Sequence, residues 1–153
     1  MKTTAVRTQD IEQKWYIMDC SGKTLGRLSV QVANILRGKN KPEYTPNADV
    51  GDFVVLVNAK DIKVTGKKTE DKIYYRHSGY PGGIKETTPE RLYENKPGEV
   101  LKLAVKRMLP DGALAKKQLT KLKIYSGSNH PHEAQNPESI DLKSLNKKNI
   151  IKN

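Results

Sequence analysis

The sequence predicts an α/β domain, and three observations carry that reading. Trp15, Tyr16, Ile17 and Met18 form a short apolar run, followed by a tight turn and then by apolar residues at helical spacing. That order begins a β/α unit. Phe53-Val-Val-Leu-Val57 is an unbroken, mostly branched run, of the kind that suits a central strand covered on both faces in a parallel sheet. The chain has 153 residues, 35% hydrophobic and 29% charged, which fits one domain with a modest core and much solvated or partner-bound surface. We read a single domain over 1–153, with a core at about 14–142 and flexible extensions at 1–13 and 143–153.

The elements follow in order. After the first strand, Asp19 to Lys23 supply turn chemistry, with Gly22 at the left-handed position. Thr24 is placed to cap a helix with apolar residues at Leu25, Leu28, Val32, Ile35 and Leu36, closed by Gly38. A basic loop punctuated by Pro42 and Pro46 leads to the Phe53 run. Ile62 and Val64 fit either a short strand or a turn of helix. Residues 65–69 form a basic turn, and 72–77 alternate as an edge strand, so that either Tyr74 or Tyr75 faces inward. His77 to Lys85 is glycine-rich and reads as an exposed loop. Thr88-Pro89-Glu90 starts a short helix, Pro97-Gly98 interrupts, and Leu101, Ala104, Val105 and Met108 stripe the next helix. Pro110-Asp-Gly112 ends it. Residues 113–121 make one more helix and 122–125 the last strand; from Ser126 the chain is polar and irregular.

Charge is the strongest functional signal. The net charge is +11 and the pI about 9.7, which opposes compaction unless a polyanion neutralises it. Between Leu101 and Gly127 seven basic residues (Lys102, Lys106, Arg107, Lys116, Lys117, Lys121, Lys123) face a single acid, Asp111, with core-spaced apolar residues between them. A folded body with cationic faces points to nucleic acid; an anionic membrane surface is the second reading. Lysine pairs recur in loops, Lys39 with Lys41 and Lys67 with Lys68. Each pair alone is ordinary solvated surface, but together they suit phosphate contacts that release counterions. Tyr80, in the glycine-rich loop, is the aromatic best placed to stack outside the fold.

Other chemistry finds little footing. Gly66-Lys67-Lys68-Thr69 lacks the first glycine of a phosphate-binding loop, since that position is Asp61. His130 and His132 lack further His or Cys support for a metal, and no carboxylate pair or Ser/His/Asp set stands out. Cys20 is the only cysteine, so no internal disulfide forms and a reducing compartment is expected. The N-terminus carries no secretory pattern, and no run approaches the ~20 apolar residues of a membrane span.

Read in order, residues 15–28, 37–59, 77–85, 105–110 (VKRMLP), 122–127 (LKIYSG) and 130–137 (HPHEAQNP) resemble the bacterial large-subunit ribosomal protein L-thirteen family. The resemblance implies a three-layer α/β/α fold around a small mixed sheet. It also implies a structural role without catalysis or cofactor: binding large-subunit ribosomal RNA, supporting early subunit assembly, and sitting as a monomer beside neighbouring large-subunit proteins on the cytoplasmic ribosome. RNA contacts would then fall on Lys39, Lys41, Tyr44, Lys67, Lys68, Arg76, His77, Tyr80, Lys106, Arg107, Lys116, Lys117, Lys121, Lys123, His130 and His132. No small-molecule substrate is implied. Ala115 departs from the family's usual glycine and would be strained if the backbone needed positive φ there. The lysines past Leu142 extend the usual end. Two alternatives stay open: a regulator of messenger RNA outside the ribosome, and an RNA-processing enzyme using His77, His130 or His132.

Overall fold

The computed structural model describes residues 7–141; the extension expected over 143–153 and the first six residues of the N-terminal one lie outside the described residues. β1 (Trp15–Asp19), α1 (Leu25–Arg37) and β2 (Phe53–Val57) form the expected β/α unit. They are followed by the single turn α2 (Lys68–Asp71), the strands β3 (Tyr74–His77) and β4 (Ile84–Thr87), and the helices α3 (Pro89–Asn95), α4 (Pro97–Met108) and α5 (Ala113–Thr120). β5 (Leu122–Ile124) and the two-residue β6 (Glu138–Ser139) complete the chain.

The α/β class holds. The main sheet has the order β5-β2-β1-β6 with all three pairings parallel, and β3 and β4 form a separate antiparallel hairpin. The parallel and antiparallel pairings of a mixed sheet thus fall in two sheets. Strand alternation sorts the side chains: Tyr16, Met18, Val54, Leu56, Leu122 and Ile124 join the core with Leu28, Val32 and Leu36 of α1 and Leu101 and Val105 of α4. On the other face Trp15 stacks on Phe53 with ring centroids 4.3 Å apart, and His132 lies against Trp15 at 5.1 Å.

Several local expectations change. Thr24 occupies the cap position of α1 without a side-chain bond; backbone pairing holds the entry instead, Leu25 N–H donating to Lys63 O at 2.9 Å. The Ile62–Val64 ambiguity resolves as a 3-10 turn, Ala59–Asp61, followed by a parallel bridge from Lys63 to Thr24. The glycine-rich loop is shorter than expected because Ile84 to Thr87 pair with β3. In α4, Leu109 is buried just past the helix while Met108 is 38% exposed. Tyr74 is the half-buried partner of the tyrosine pair and Tyr75 the exposed one.

Two glycines and one alanine occupy positions where side-chain size or backbone conformation matters. Gly38 takes φ 76° and Lys39 N–H reaches back to Asn34 O at 3.0 Å, closing α1 in a Schellman turn. A methyl on Gly51 would overlap the Leu36 carbonyl, so the returning loop packs backbone against backbone at this point. Ala115 sits inside α5, and its methyl is buried in the core. The strain anticipated for a non-glycine residue there does not arise, because the position is helical. Restoring glycine at Ala115 should cost about 1 kcal/mol in urea unfolding, whereas Gly51→Ala should cost at least about 1–3 kcal/mol through overpacking.

Burial pushes the Cys20 thiol up to about 12, with the Asp19 charge adding to it, and burial likewise raises the Tyr93 hydroxyl to about 12. Both groups are neutral when protonated, so the unfolded chain loses these protons first as pH rises. Their contribution to stability is intact below the ordinary thiol value of 9.0 and is lost as pH climbs toward 12. The urea midpoint should therefore fall above that ordinary value, less steeply in Cys20→Ala, and a thiol reagent at neutral pH should modify Cys20 only as the protein unfolds.

Candidate nucleic-acid interface

The cations occupy distinct elements. Lys39 follows the end of α1, Lys67 and Lys68 stand at α2, Lys106 and Arg107 near the end of α4, and Lys116 and Lys117 on α5; all are exposed. Lys123 is half-buried on β5. On α5 the helical period separates the roles: Ala115 and Gln118 point inward and Lys116 and Lys117 outward.

The β3–β4 hairpin has two faces. In its register Tyr74 pairs with Thr87, Tyr75 with Glu86, Arg76 with Lys85 and His77 with Ile84. Alternation therefore puts Tyr74, Arg76, Lys85 and Thr87 on one side and Tyr75, His77, Ile84 and Glu86 on the other. The cationic side continues into the body, because Lys72 Nζ and the Arg107 guanidinium lie 5.4 and 5.2 Å from the Tyr74 ring centre. On the other side Tyr75 and Ile84 are each 63% exposed. The tip is rigid for its length: Ser78 N–H donates to Gly83 O and Gly83 N–H to Tyr80 O, both at 2.9 Å. Tyr80 stands out from it, 76% exposed. His77 Nδ1 accepts from Gly79 N–H at 2.9 Å, so in the neutral ring the proton sits on Nε2, available as a donor.

Some expected contacts are turned inward. Lys121 is 5% exposed, ion-paired to Asp49 at 2.8 Å and donating to Gly51 O at 2.9 Å. It is a buried structural lysine and not a surface cation. Lys41 spends its three protons on Glu12 O (2.7 Å), Val50 O (3.2 Å) and the buried Asp52 Oδ1 (2.6 Å), so it too is an internal tie. Both corrections share one cause: Asp49 and Asp52 are sealed from water and need cationic partners. Tyr44 is half-buried, its hydroxyl accepting from Arg37 Nη2 at 3.0 Å. The His132 ring lies between Trp15 and Tyr125, with Nε2 and the Tyr125 hydroxyl 2.8 Å apart; His130 stands beside it, its Nδ1 accepting from His132 N–H at 3.3 Å.

The sequence reading passed over Arg27, Lys72 and Lys85. Lys72 was legible in principle, since Lys72, Tyr74 and Arg76 recur at every second position of an extended segment, whereas Lys85 lies on the strand that follows the glycine-rich turn. Arg27 had no such signal, because its relevance depends on α1 meeting α4.

The profile of a family described as ribosomal protein L13 matches residues 13–131. Large ribosomal subunit protein uL13 of Aquifex aeolicus (strain VF5) is 54% identical over 144 residues, covering 94% of this chain and 100% of the relative. The protein of that name from Psychrobacter cryohalolentis is 55% identical over 142 residues, 93% of this chain and 100% of the relative. That of Symbiobacterium thermophilum is 55% identical over 141 residues, 92% of this chain and 99% of its own.

Lys121→Ala should leave Asp49 buried without its cation and cost about 3–5 kcal/mol in chemical unfolding. Lys121→Met with Asp49→Leu should recover most of that loss. Equal losses in the single and the double variant would show that the pair is not the stabilising contact.

Proposed function

The chain belongs to the ribosomal protein L13 family, a structural and non-enzymatic family, and from that premise we propose that it binds large-subunit ribosomal RNA and supports early assembly of that subunit. The observation that carries the reading is the sorting of cations. Those the fold needs, the half-buried Lys41 and the buried Lys121, are paired with buried carboxylates, while Lys39, Lys67, Lys68, Arg76, Lys106, Arg107, Lys116 and Lys117 remain at the surface. A chain with a +11 excess that presents most of it outward suits a phosphate-rich partner.

The mechanism is electrostatic and geometric. Exposed lysines and arginines neutralise phosphates where RNA segments crowd together, lowering the repulsion that opposes compaction. The hairpin inserts its cationic side and Tyr80 among RNA segments, with Tyr80 free to stack on an unpaired base. Its other side exposes Tyr75 and Ile84 beside His77 and Glu86 and suits the surface of a neighbouring large-subunit protein. The working place is then the cytoplasmic ribosome.

Replacing Lys116 and Lys117 by Ala should weaken binding to large-subunit RNA and reduce the slope of log affinity against log salt by roughly one to two. Tyr80→Ala should weaken binding by about 1–3 kcal/mol, as for one lost base stack, without changing that slope. A tagged copy should co-sediment stoichiometrically with the large subunit; its absence from that peak would refute the proposal.

A further inference from the structure

Between the first turn of α1, the α2 turn, the start of β3 and one face of α4 lies a cavity of about 470 Å³, within the range of small-ligand sites, about 300–1,000 Å³. Leu25, Val64, Ala104 and Met108 give it apolar walls. Lys68, Lys72 and Arg107 also line it, together with Tyr74 and Arg27, and among the described residues none of its lining is acidic. Other clefts differ on this point: one is lined by Glu94, another by Glu99, and a third by Asp10, Glu12 and Glu43.

We infer that this cavity receives a single unpaired nucleotide of the bound RNA, its base against the apolar walls and its phosphate at the cationic rim. The inference rests on the RNA-binding reading above and adds a defined site to it. Charge selects the ligand class: Lys68, Lys72 and Arg107, with no carboxylate among the described lining residues, suit an anion. Shape selects a nucleotide over a duplex, because a phosphate backbone needs a cationic surface and no hollow, whereas an extruded base needs an apolar slot. Tyr74 adds an aromatic ring already flanked by Lys72 and Arg107. The exposure of Met108, a residue of the apolar stripe of α4, fits its place in this wall, where a flexible thioether adapts to a flat ring.

The test is a methyl NMR titration of the full chain with the four ribonucleoside 5′-monophosphates, with a single-stranded RNA pentamer, and with inorganic phosphate at matched ionic strength. Mononucleotides should shift the methyl signals of Leu25, Val64, Ala104 and Met108 with millimolar affinity, at least tenfold tighter than phosphate. The pentamer, with its flanking phosphates, should bind more tightly still; no gain over the mononucleotide would overturn an RNA-borne occupant. Ala104→Trp, which fills the cavity, should abolish these shifts, and Arg107→Met, on the exposed side of α4, should weaken them at least threefold if the tryptophan variant fails to fold. Equal affinity for phosphate alone, or shifts centred on the hairpin tip, would overturn the inference. A salt titration of the wild-type chain against large-subunit RNA separates the two levels. If RNA binds with strong salt dependence while the cavity methyls stay still, the nucleotide site falls and the RNA-binding role stands; if RNA does not bind at all, the role itself falls.

Discussion

Two carboxylates sealed from water, Asp49 and Asp52, constrain the rest of this structure. A buried charge is costly unless a partner reaches it, and here the partners come from three distant parts of the chain. Lys121, between α5 and β5, pairs with Asp49 at 2.8 Å; Lys41, in the loop after α1, pairs with Asp52 at 2.6 Å; and Lys14 N–H, just before β1, donates to Asp52 Oδ1 at 2.9 Å. The loop leaving α1, the approach to the first strand and the last helix-to-strand junction are therefore tied at one place. Gly51 allows this, because its missing side chain lets the segment between the two aspartates lie directly on the Leu36 carbonyl.

That tie divides labour among the lysines. A surface cation and a buried one are the same residue type with opposite purposes, and the neighbourhood of the acids decides between them. Fixing the α5–β5 junction through Lys121 also fixes how Lys116 and Lys117 face outward, one turn earlier on the same helix. The hairpin sits outside this rigid frame. Two four-residue strands are marginal on their own, and the stacking of Arg107 and Lys72 around Tyr74 links the hairpin to the body. Tyr75 and Ile84 stand exposed on its other side.

Much of this was legible in the sequence. The strand–turn–helix opening, the buried run of β2, the proline starts of α3 and α4 and the stripe of α4 each have a local cause, a period or a breaker, that a linear reading detects. The failures are nonlocal. Nothing near Lys121 signals burial, because its partner Asp49 lies seventy-two positions earlier in the sequence, and β6 is strand only because β1 offers it an edge. The hairpin was half seen: β3 alternates, but β4 hides behind a glycine-rich turn whose own polarity resembles a loop. Ala115 shows the converse limit. A departure from a family pattern suggested strain, and only the helical backbone of α5 removes that concern.

On the proposed RNA-binding reading, the distribution of exposed charge bears on the RNA architecture that would suit this protein. A chain that lay along one duplex would gather its cations on a single face. Here they stand at the end of α1, on α2 and α4, on the outer side of α5 and on one side of the hairpin, with Lys68, Lys72 and Arg107 brought together at the cavity. The cavity, without an acid among its described lining residues, adds an element that duplex geometry never fills, since paired bases are stacked inside the helix. Under that proposal, a body with cations on several elements and a slot for an extruded base suits a junction where RNA segments converge better than a helix read along its length.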